Sequence, residues 1–357
     1  MNMTSIKKVA LVVMVSTLAS TVLRAQSTTP PPQTFSTTIY FDYSFNLTNN
    51  GYLTGTDAAK ALNNQFKFRR AYFRYENKIN GNLKFRFTYD ADYVTAVDAK
   101  GKKDDKLRPF IKHLYLDWAG LLPNSSLKIG MVDTITFKLA EDRWGYRSVA
   151  KTLVDGYKDI TGIDIRASSA DVGVNLTGAV SKEFRYGFMV TNGGGYGHPE
   201  VDKYKKVAGQ LQFIPLAGLS LVGYAEYEKQ DADNKALMYK ADAYFEMVPQ
   251  LTIAGEWFTY DNDKFMTANK DKYKVGGYSI FGVYKINPDK LHVFARFDRY
   301  EPNNKTNNDE INLVIAGVDW TPVHSSWKLQ PNVWYYTYAD SNKKSDVVFN
   351  LTFFLSF

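Results

Sequence analysis

The sequence predicts an all-β fold, a closed transmembrane antiparallel β-barrel of about 16 strands. Three observations predict it. Apolar and polar residues alternate along most of the chain, short and long connectors follow one another in turn, and no stretch beyond the N-terminus is apolar for long enough to form a membrane-spanning helix. The mean hydropathy of −0.34 resembles that of a soluble protein. A barrel produces the same value because it averages an apolar outer face with a polar lumen.

The N-terminus has the features of an export signal. Lys7 and Lys8 precede an apolar stretch at 9–23, and Ala25 supplies a small residue for cleavage. Because a membrane span needs about 20 apolar residues, a cleaved signal peptide over 1–25 is favoured over an N-terminal anchor. The sequence therefore predicts export from the cytoplasm.

After the signal, a Pro-rich segment at 26–34 predicts a short periplasmic leader, and the barrel is predicted over 35–357. From 35 to 47 the odd positions are mostly apolar and the even positions mostly polar, as expected for a strand with one face toward lipid. The predicted strands are 35–47, 65–79, 82–93, 109–118, 126–132, 170–180, 183–191, 204–214, 219–228, 236–247, 251–260, 274–286, 290–301, 310–320, 327–338 and 346–357. The registers of 274–286 and 310–320 are ambiguous, so 14 or 18 strands also fit.

The connectors indicate the orientation of the barrel. Short connectors carry turn residues such as Asn80-Gly81, whereas the alternate connectors are long and polar. This pattern is typical of outer-membrane barrels, which have short periplasmic turns and longer extracellular loops. The longest connector, 132–169, is longer than a loop without a function usually is in a compact fold.

Two details favour a membrane barrel over a soluble β-sandwich. Aromatic residues lie near strand ends on the apolar face, as in the girdles of membrane barrels, and the opposite face carries charges in mid-strand. The last strand ends on Phe353, Leu355 and Phe357, which we predict to be the membrane-insertion signal read by the barrel-assembly machinery. The barrel would then lie in the outer membrane of a Gram-negative bacterium, surrounded by lipid.

Several segments resemble a known family. Phe66–Ala71 (FKFRRA), Gly81–Phe87 (GNLKFRF), Ile111–Asp117 (IKHLYLD) and Leu127–Gly130 (LKIG) are similar to segments of the phosphate-selective porin O/P-like proteins. The sequence departs from the family pattern at His113 and after Gly130. The resemblance implies a 16-stranded, trimeric porin, and it leaves the solute open.

In general porins the third long loop narrows the lumen, and 132–169 is the third long connector here. The resemblance therefore implies a constriction in which opposed charges set a transverse field. The residues predicted to form it are Glu141, Asp142, Arg143, Arg147 and Lys151. The alternative is a solvated extracellular loop with a short helix.

Strand register also predicts the charged pore wall, whose principal residues are Lys84, Arg86, Asp90, Asp117, Arg185, Glu226, Asp242, Arg296 and Asp298. Further inward charges are predicted at Lys67, Arg69, Lys128, Lys240, Lys328, Asp42, Asp92, Asp171, Glu183, Glu228, Glu246 and Glu256. Acids exceed bases in this set, whereas strong anion selectivity needs a surplus of Arg and Lys. The tally predicts weak ion selectivity.

Composition excludes several other classes of protein. The absence of Cys excludes disulfides, thiolate zinc sites and Cys catalysis, and no motif suggests a cofactor or a metal. The net charge of +7 falls to +4 once Lys7, Lys8 and Arg24 are removed, which gives no indication of a nucleic-acid partner.

The sequence therefore predicts passive diffusion of ions and small hydrophilic solutes. The alternatives are an anion-selective channel of the same fold, an outer-membrane barrel enzyme, and a secreted glycan-binding β protein.

Overall fold

The computed structural model describes residues 32–48, 64–93, 96–97, 103–104 and 106–357. The predicted signal peptide and residues 26–31 of the predicted leader lie outside the described residues. Within the described part of the chain, no helix is both long and apolar enough to cross a membrane.

Sixteen antiparallel strands form a closed barrel, and β1 pairs with β18 to complete it. The strands are β1 (Gln33–Asn46), β2 (Asn64–Lys78), β3 (Leu83–Tyr93), β6 (Leu107–Ala119), β7 (Ser125–Asp133), β8 (Ala170–Ala179), β9 (Phe184–Thr191), β10 (Lys206–Leu216), β11 (Leu219–Lys229), β12 (Lys235–Val248), β13 (Leu251–Met266), β14 (Lys272–Asn287), β15 (Leu291–Glu301), β16 (Ile311–Trp320), β17 (Trp327–Tyr338) and β18 (Asp346–Ser356). A small hairpin, β4 (Ala96–Val97) and β5 (Lys103–Asp104), lies between β3 and β6. The predicted fold class and strand number are confirmed.

Burial alternates along the strands as a barrel requires. In β11, Ser220, Val222 and Tyr224 are buried on the lumenal side, and Leu221 and Tyr227 are exposed on the outer side. A side chain on the outer face meets no protein, so it is accessible here and would meet lipid in a membrane.

The two strands with ambiguous registers have apolar residues on both faces. β14 turns Val275 and Phe281 inward, and β16 turns Ile311, Leu313 and Ile315 inward. These inward side chains belong to an apolar cluster inside the barrel. Alternation is weak in such strands because both faces are covered by apolar material.

Two β-bulges shift the register of the early strands. Phe41 pairs with Phe68 while Tyr40 pairs with Arg70, so Arg69 is the extra residue in β2. Thr88 pairs with His113 while Tyr89 pairs with Ile111, so an extra residue also lies in β6. Each bulge reverses the alternation beyond it, because a strand's side chains alternate with period two.

The connector between β7 and β8 carries two helices, α1 (Lys138–Trp144) and α2 (Leu153–Thr161). β7 runs to Asp133, so this connector, named the lumenal loop below, spans 134–169 and not 132–169. α1 ends at Gly145 in the left-handed conformation, with a φ of 71°, and its N–H donates to the Glu141 carbonyl.

Candidate functional site

The lumenal loop packs against the inner wall of the barrel. α1 lies against β13, and α2 lies against β14 and β15. The Trp144 ring centre is 5.2 Å from that of Phe281 and 5.7 Å from that of Phe294. The ring centre of Tyr157 in α2 is 5.2 Å from that of Phe258. The loop therefore has an apolar core shared with the barrel wall and is not a solvated extracellular loop.

Hydrogen bonds anchor the lumenal loop to widely separated strands. Thr136 bonds Tyr224 on β11 at 2.8 Å, and the Tyr157 hydroxyl donates to the Glu301 carbonyl on β15 at 2.7 Å. Ser148 donates to the Gln330 side chain on β17 at 2.6 Å. On the far side of the lumen, Arg69 of β2 donates to the Ser148 carbonyl. The loop thus spans the barrel interior from β11 to β2.

Two of the predicted constriction residues meet in one ion cluster. Arg147 pairs with Glu141 at 2.6 Å and also with Asp155, a residue of α2 that the sequence reasoning missed. Burial alone would raise the pKa of Asp155, but Arg147 and Lys151 outweigh burial and lower the pKa to about 2. Asp155 is therefore ionised, and the cluster holds α1 and α2 together.

The other predicted constriction residues lie apart from this cluster. Arg143 pairs with Glu246 at the end of β12 at 3.0 Å, and Lys151 pairs with Asp159 at 2.8 Å. Asp142 pairs with Lys138 on the exposed side of α1. Each of these pairs retains contact with solvent.

The predicted wall residues occupy inward positions. Arg86 pairs with Glu76, Asp90 with Arg70, and Asp117 lies opposite Lys84. On the other side of the barrel the pairs are Glu226 with Lys206, Asp242 with Lys240, and Asp298 with Arg296. Arg185 remains exposed near the short-turn end of β9.

Strand register in the sequence did not reveal several inward bases or the inward acids Glu76, Asp133, Asp319 and Asp346, and it misplaced one acid. The bulges bring Arg70, Arg74 and Lys112 inward, and a bulge leaves no signal in simple alternation. Lys206 continues the inward phase of β10 and could have been found by extending that phase. Glu183, predicted on the wall, lies in the turn before β9. The side chain of Asp92 lies outside the described residues.

Burial divides the lumenal charges into a solvated group and a group withdrawn from water, and most of the withdrawn charges are acids. The inward carboxylates that are at most 6% exposed are Asp42, Asp90, Asp171, Glu226, Glu228, Asp242, Glu256, Asp298, Asp319 and Asp346. The inward bases that keep contact with solvent include Lys67, Arg69, Arg74, Lys84, Arg86, Lys128 and Arg185. Glu76, Asp117, Asp133 and Glu246 also keep some exposure. In the sequence all these charges look equivalent, whereas in the structure ten acids and the bases Lys112, Lys206, Lys240 and Arg296 are withdrawn from water.

A cavity of about 390 Å³ opens at the short-turn end of β2, β3 and β6. Its charged lining residues are Glu76, Lys78, Lys84, Arg86 and Asp117. The Arg86 guanidinium lies 5.6 Å from the centre of the Tyr115 ring, and Lys128 lies 5.2 Å from the same ring. This end of the wall therefore places two cations, Arg86 paired with Glu76 and Lys128 paired with Asp133, beside one aromatic ring. Among the described residues, no group of three or more His, Asp or Glu is arranged to hold a metal ion.

Comparison with known families and structures agrees with this geometry. Residues 41–135, from β1 to just beyond β7, match the family described as phosphate-selective porin O and P. The match confirms the resemblance inferred from Phe66–Ala71 and the later segments. No curated protein matches the chain.

Solved structures share the whole barrel at low sequence identity. The anion-selective porin from Comamonas acidovorans has a TM-score of 0.63 at 10% identity, with 91% of this chain and 99% of that chain covered. The outer membrane channel DcaP of Acinetobacter baumannii has a TM-score of 0.61 at 12% identity, with 93% and 99% covered. OmpT of Vibrio cholerae in a trimer form has a TM-score of 0.60 at 12% identity, with 92% and 100% covered. These likenesses show the fold.

Proposed function

We propose that this chain, which has the fold of outer-membrane porins and resembles the phosphate-selective porins over residues 41–135, forms a passive diffusion channel. Ions and small hydrophilic solutes would pass down their gradients through the barrel. The observation that carries the proposal is the closed barrel with a charged inner wall and a long loop packed inside it. Such an arrangement narrows a water-filled lumen and lines it with fixed charge.

The constriction would lie between the lumenal loop and the wall formed by β3, β6 and β7. The loop covers the opposite wall, where its helices pack on β13, β14 and β15. Arg86 and Lys128 keep side-chain exposures of 29% and 21% on the uncovered wall, and Glu141 keeps 26% on the loop side. Solutes would therefore pass between bases of the wall and the mixed charges of the loop.

A modest preference for anions follows from the burial of the acids. A buried and paired carboxylate contributes little to the field in the lumen, while a solvated Arg or Lys attracts anions directly. Three bases, Lys78, Lys84 and Arg86, line this cavity against two acids, Glu76 and Asp117, so this part of the path favours anions although acids exceed bases along the wall as a whole.

Conductance in planar bilayers tests the constriction. Deletion of 138–155 should raise single-channel conductance, because it removes both helical anchors from the lumen. Heat-modifiable gel mobility would establish that the deletion variant still folds as a barrel. Unchanged conductance in a folded variant would contradict the constriction.

Reversal potentials in a KCl gradient test the anion preference. The wild-type protein should favour chloride, and the double substitution Lys84→Gln with Arg86→Gln should reduce that preference. Lys182→Gln is the matched control because Lys182 lies in a turn at the same end of the barrel, outside the strands. A cation preference in the wild type would contradict the proposal.

Export, insertion and assembly complete the proposal. A cleaved signal over 1–25 would deliver the chain to the outer membrane of a Gram-negative bacterium, where Phe353, Leu355 and Phe357 would present the last strand to the assembly machinery. The Phe357 backbone pairs with Thr37 of β1, so this terminus also closes the barrel.

A homotrimer is supported by the trimer form of the similar Vibrio cholerae barrel. Cross-linking in outer membranes should give a trimeric band, and a monomer alone would contradict it.

We also propose a channel and not an enzyme, since the fold and the family resemblance both support transport. Esterase and protease assays on the purified barrel should be negative, and turnover that is lost on unfolding would favour the enzyme alternative.

A further inference from the structure

A row of polar side chains crosses four strands of the wall beneath the lumenal loop. Asp242 on β12 lies opposite Glu256 on β13, Glu256 lies opposite Ser279 on β14, and Ser279 lies opposite Asp298 on β15. All four face inward and are buried. Neighbours in such a row have Cβ atoms about 5 Å apart, so their charges interact strongly.

Two cations lie among the three carboxylates of this row. The Lys240 ammonium lies 2.5 Å from Asp242 Oδ2 but 3.8 Å from Glu256 Oε2. Arg296 donates two hydrogen bonds of 2.7 Å to Asp298 and a third, of 2.6 Å, to the Lys151 carbonyl of the lumenal loop. Each cation therefore bonds one carboxylate closely, and the nearest cation to Glu256 is Lys240, beyond hydrogen-bond distance at 3.8 Å.

Four oxygens of the row have no hydrogen-bond partner. They are Asp242 Oδ1, Glu256 Oε1, Glu256 Oε2 and the Ser279 hydroxyl oxygen, and each is shielded from solvent. An ionised carboxylate in that position would be costly, because burial removes its hydration and no hydrogen bond replaces it. One proton on Glu256 would balance three carboxylates against two cations and would add a donor for a neighbouring oxygen.

The charged groups that face Glu256 come from the adjacent strand β12 and, beyond Ser279 of β14, from β15. β12 contributes Lys240, Asp242 and Tyr244, while β15 contributes Arg296 and Asp298. The Tyr244 hydroxyl donates to Asp242 at 3.0 Å, and that of Tyr300 on β15 donates to Asp298 at the same distance. The tyrosines thus add donors to the two carboxylates that already have cations, and the shortage remains at Glu256.

The row lies between the two aromatic anchors of the lumenal loop. Trp144 packs on Phe281, two residues from Ser279, and Tyr157 packs on Phe258, two residues from Glu256. Residues two apart on a strand share a face about 6.6 Å apart. The Arg296 guanidinium also lies 5.3 Å from the centre of the Trp144 ring. A change of charge in the row would therefore act directly on the contacts that hold the loop.

We propose that Glu256 is a buried proton-binding site that is occupied at neutral pH and keeps the lumenal loop docked against the wall. Loss of the proton at alkaline pH places an uncompensated negative charge between the two anchors, which favours entry of water and release of the loop. The effect on conductance rests on the proposed channel function. The protonation of Glu256 is independent of that function.

Infrared difference spectroscopy of the folded barrel tests the proton directly. Glu256→Gln should remove a C=O stretching band of a protonated carboxyl group at neutral pH, and it should leave the unfolding temperature in detergent unchanged or higher. The matched control is Glu228→Gln, because Glu228 is equally buried but pairs with Arg166 at 2.7 Å and with Lys206 at 3.5 Å. That variant should lose no such band and should unfold at a lower temperature. A spectrum unaltered by Glu256→Gln would overturn the proposal.

Single-channel recordings between about pH 6 and about pH 10 test the consequence for the loop. Wild-type conductance should rise toward alkaline pH, while Glu256→Gln should keep the low-pH conductance throughout. Equal pH dependence in both proteins would overturn the role of Glu256 in docking. A barrel that conducts at no pH would refute the proposed function and leave the infrared result standing, so the two failures are distinguishable.

Discussion

Substitution of Trp144 by Ala should release the lumenal loop from the barrel wall. Trp144 is fully buried at the end of α1, and its ring contacts Phe281 and Phe294. Its indole N–H donates to the Ala150 carbonyl at 3.0 Å. The substitution removes the ring and this donor together, and it leaves the barrel strands unaltered.

The size of the effect follows from the buried ring. A buried Trp covers about 150–250 Å², and at about 25 cal/mol per Å² its burial stabilises the docked loop by about 4–6 kcal/mol. The unpaired Ala150 carbonyl adds about 1 kcal/mol. A loss of about 4 kcal/mol changes the ratio of docked to released loop by about a thousandfold.

Single-channel recording and limited proteolysis measure the release. Trp144→Ala should increase conductance and current noise, and it should expose the connector between α1 and α2 to protease. Trp144→Phe is the control, because it retains an aromatic ring and loses only the N–H donor. Wild-type conductance together with wild-type protease resistance in Trp144→Ala would refute the assignment of Trp144 as an anchor.

Three further predictions concern charge and backbone. The pKa of Asp155 is lowered to about 2 from 3.8, so its pairing with Arg147 stabilises the folded state by about 2 kcal/mol above about pH 4. This stabilisation is lost as the pH falls through 2. Thermal unfolding measured between these pH values should show the loss in the wild type and not in Asp155→Asn. Gly130→Val should prevent folding, since a Cβ at Gly130 would lie 2.3 Å from a β6 carbonyl oxygen, and heat-modifiable gel mobility should be absent. Arg70→Gln should destabilise the barrel by about 3–5 kcal/mol in denaturant titrations, because it removes a close partner of the buried Asp90.

The outcomes that contradict these predictions are equally specific. Identical acid profiles for Asp155→Asn and wild type would show that the Arg147 pair contributes nothing to stability. A heat-modifiable Gly130→Val barrel would show that β6 and β7 tolerate a side chain between them. Wild-type stability in Arg70→Gln would show that Lys112, 3.5 Å from Asp90, suffices as its partner.

Period-two alternation was enough to predict the barrel and its 16 strands. In strands such as β11 the outer face is apolar and the inner face polar, so the sequence itself records both environments. The same alternation predicted the inward positions of Arg86, Asp242 and Asp298. A pattern with period two is read locally, and it needs no knowledge of the partner strand.

Local patterns did not reveal which inward charges meet water. Arg70 and Lys112 are turned inward by bulges, whose positions depend on how two strands pair and not on either strand alone. The burial of Glu256 and Asp298 depends on the lumenal loop, which is more than 80 residues away in sequence.

The sequence by itself determined the alternating strands, the closed barrel they form and the long third connector. It also predicts the export signal. Only the tertiary structure decided that this connector packs inside the barrel, that Asp155 joins Glu141 and Arg147, and which of the lumenal acids and bases are buried and which remain solvated. The physical reason is that alternation reports which side of a strand faces away from lipid. Whether that side faces water or another part of the protein depends on packing between distant segments.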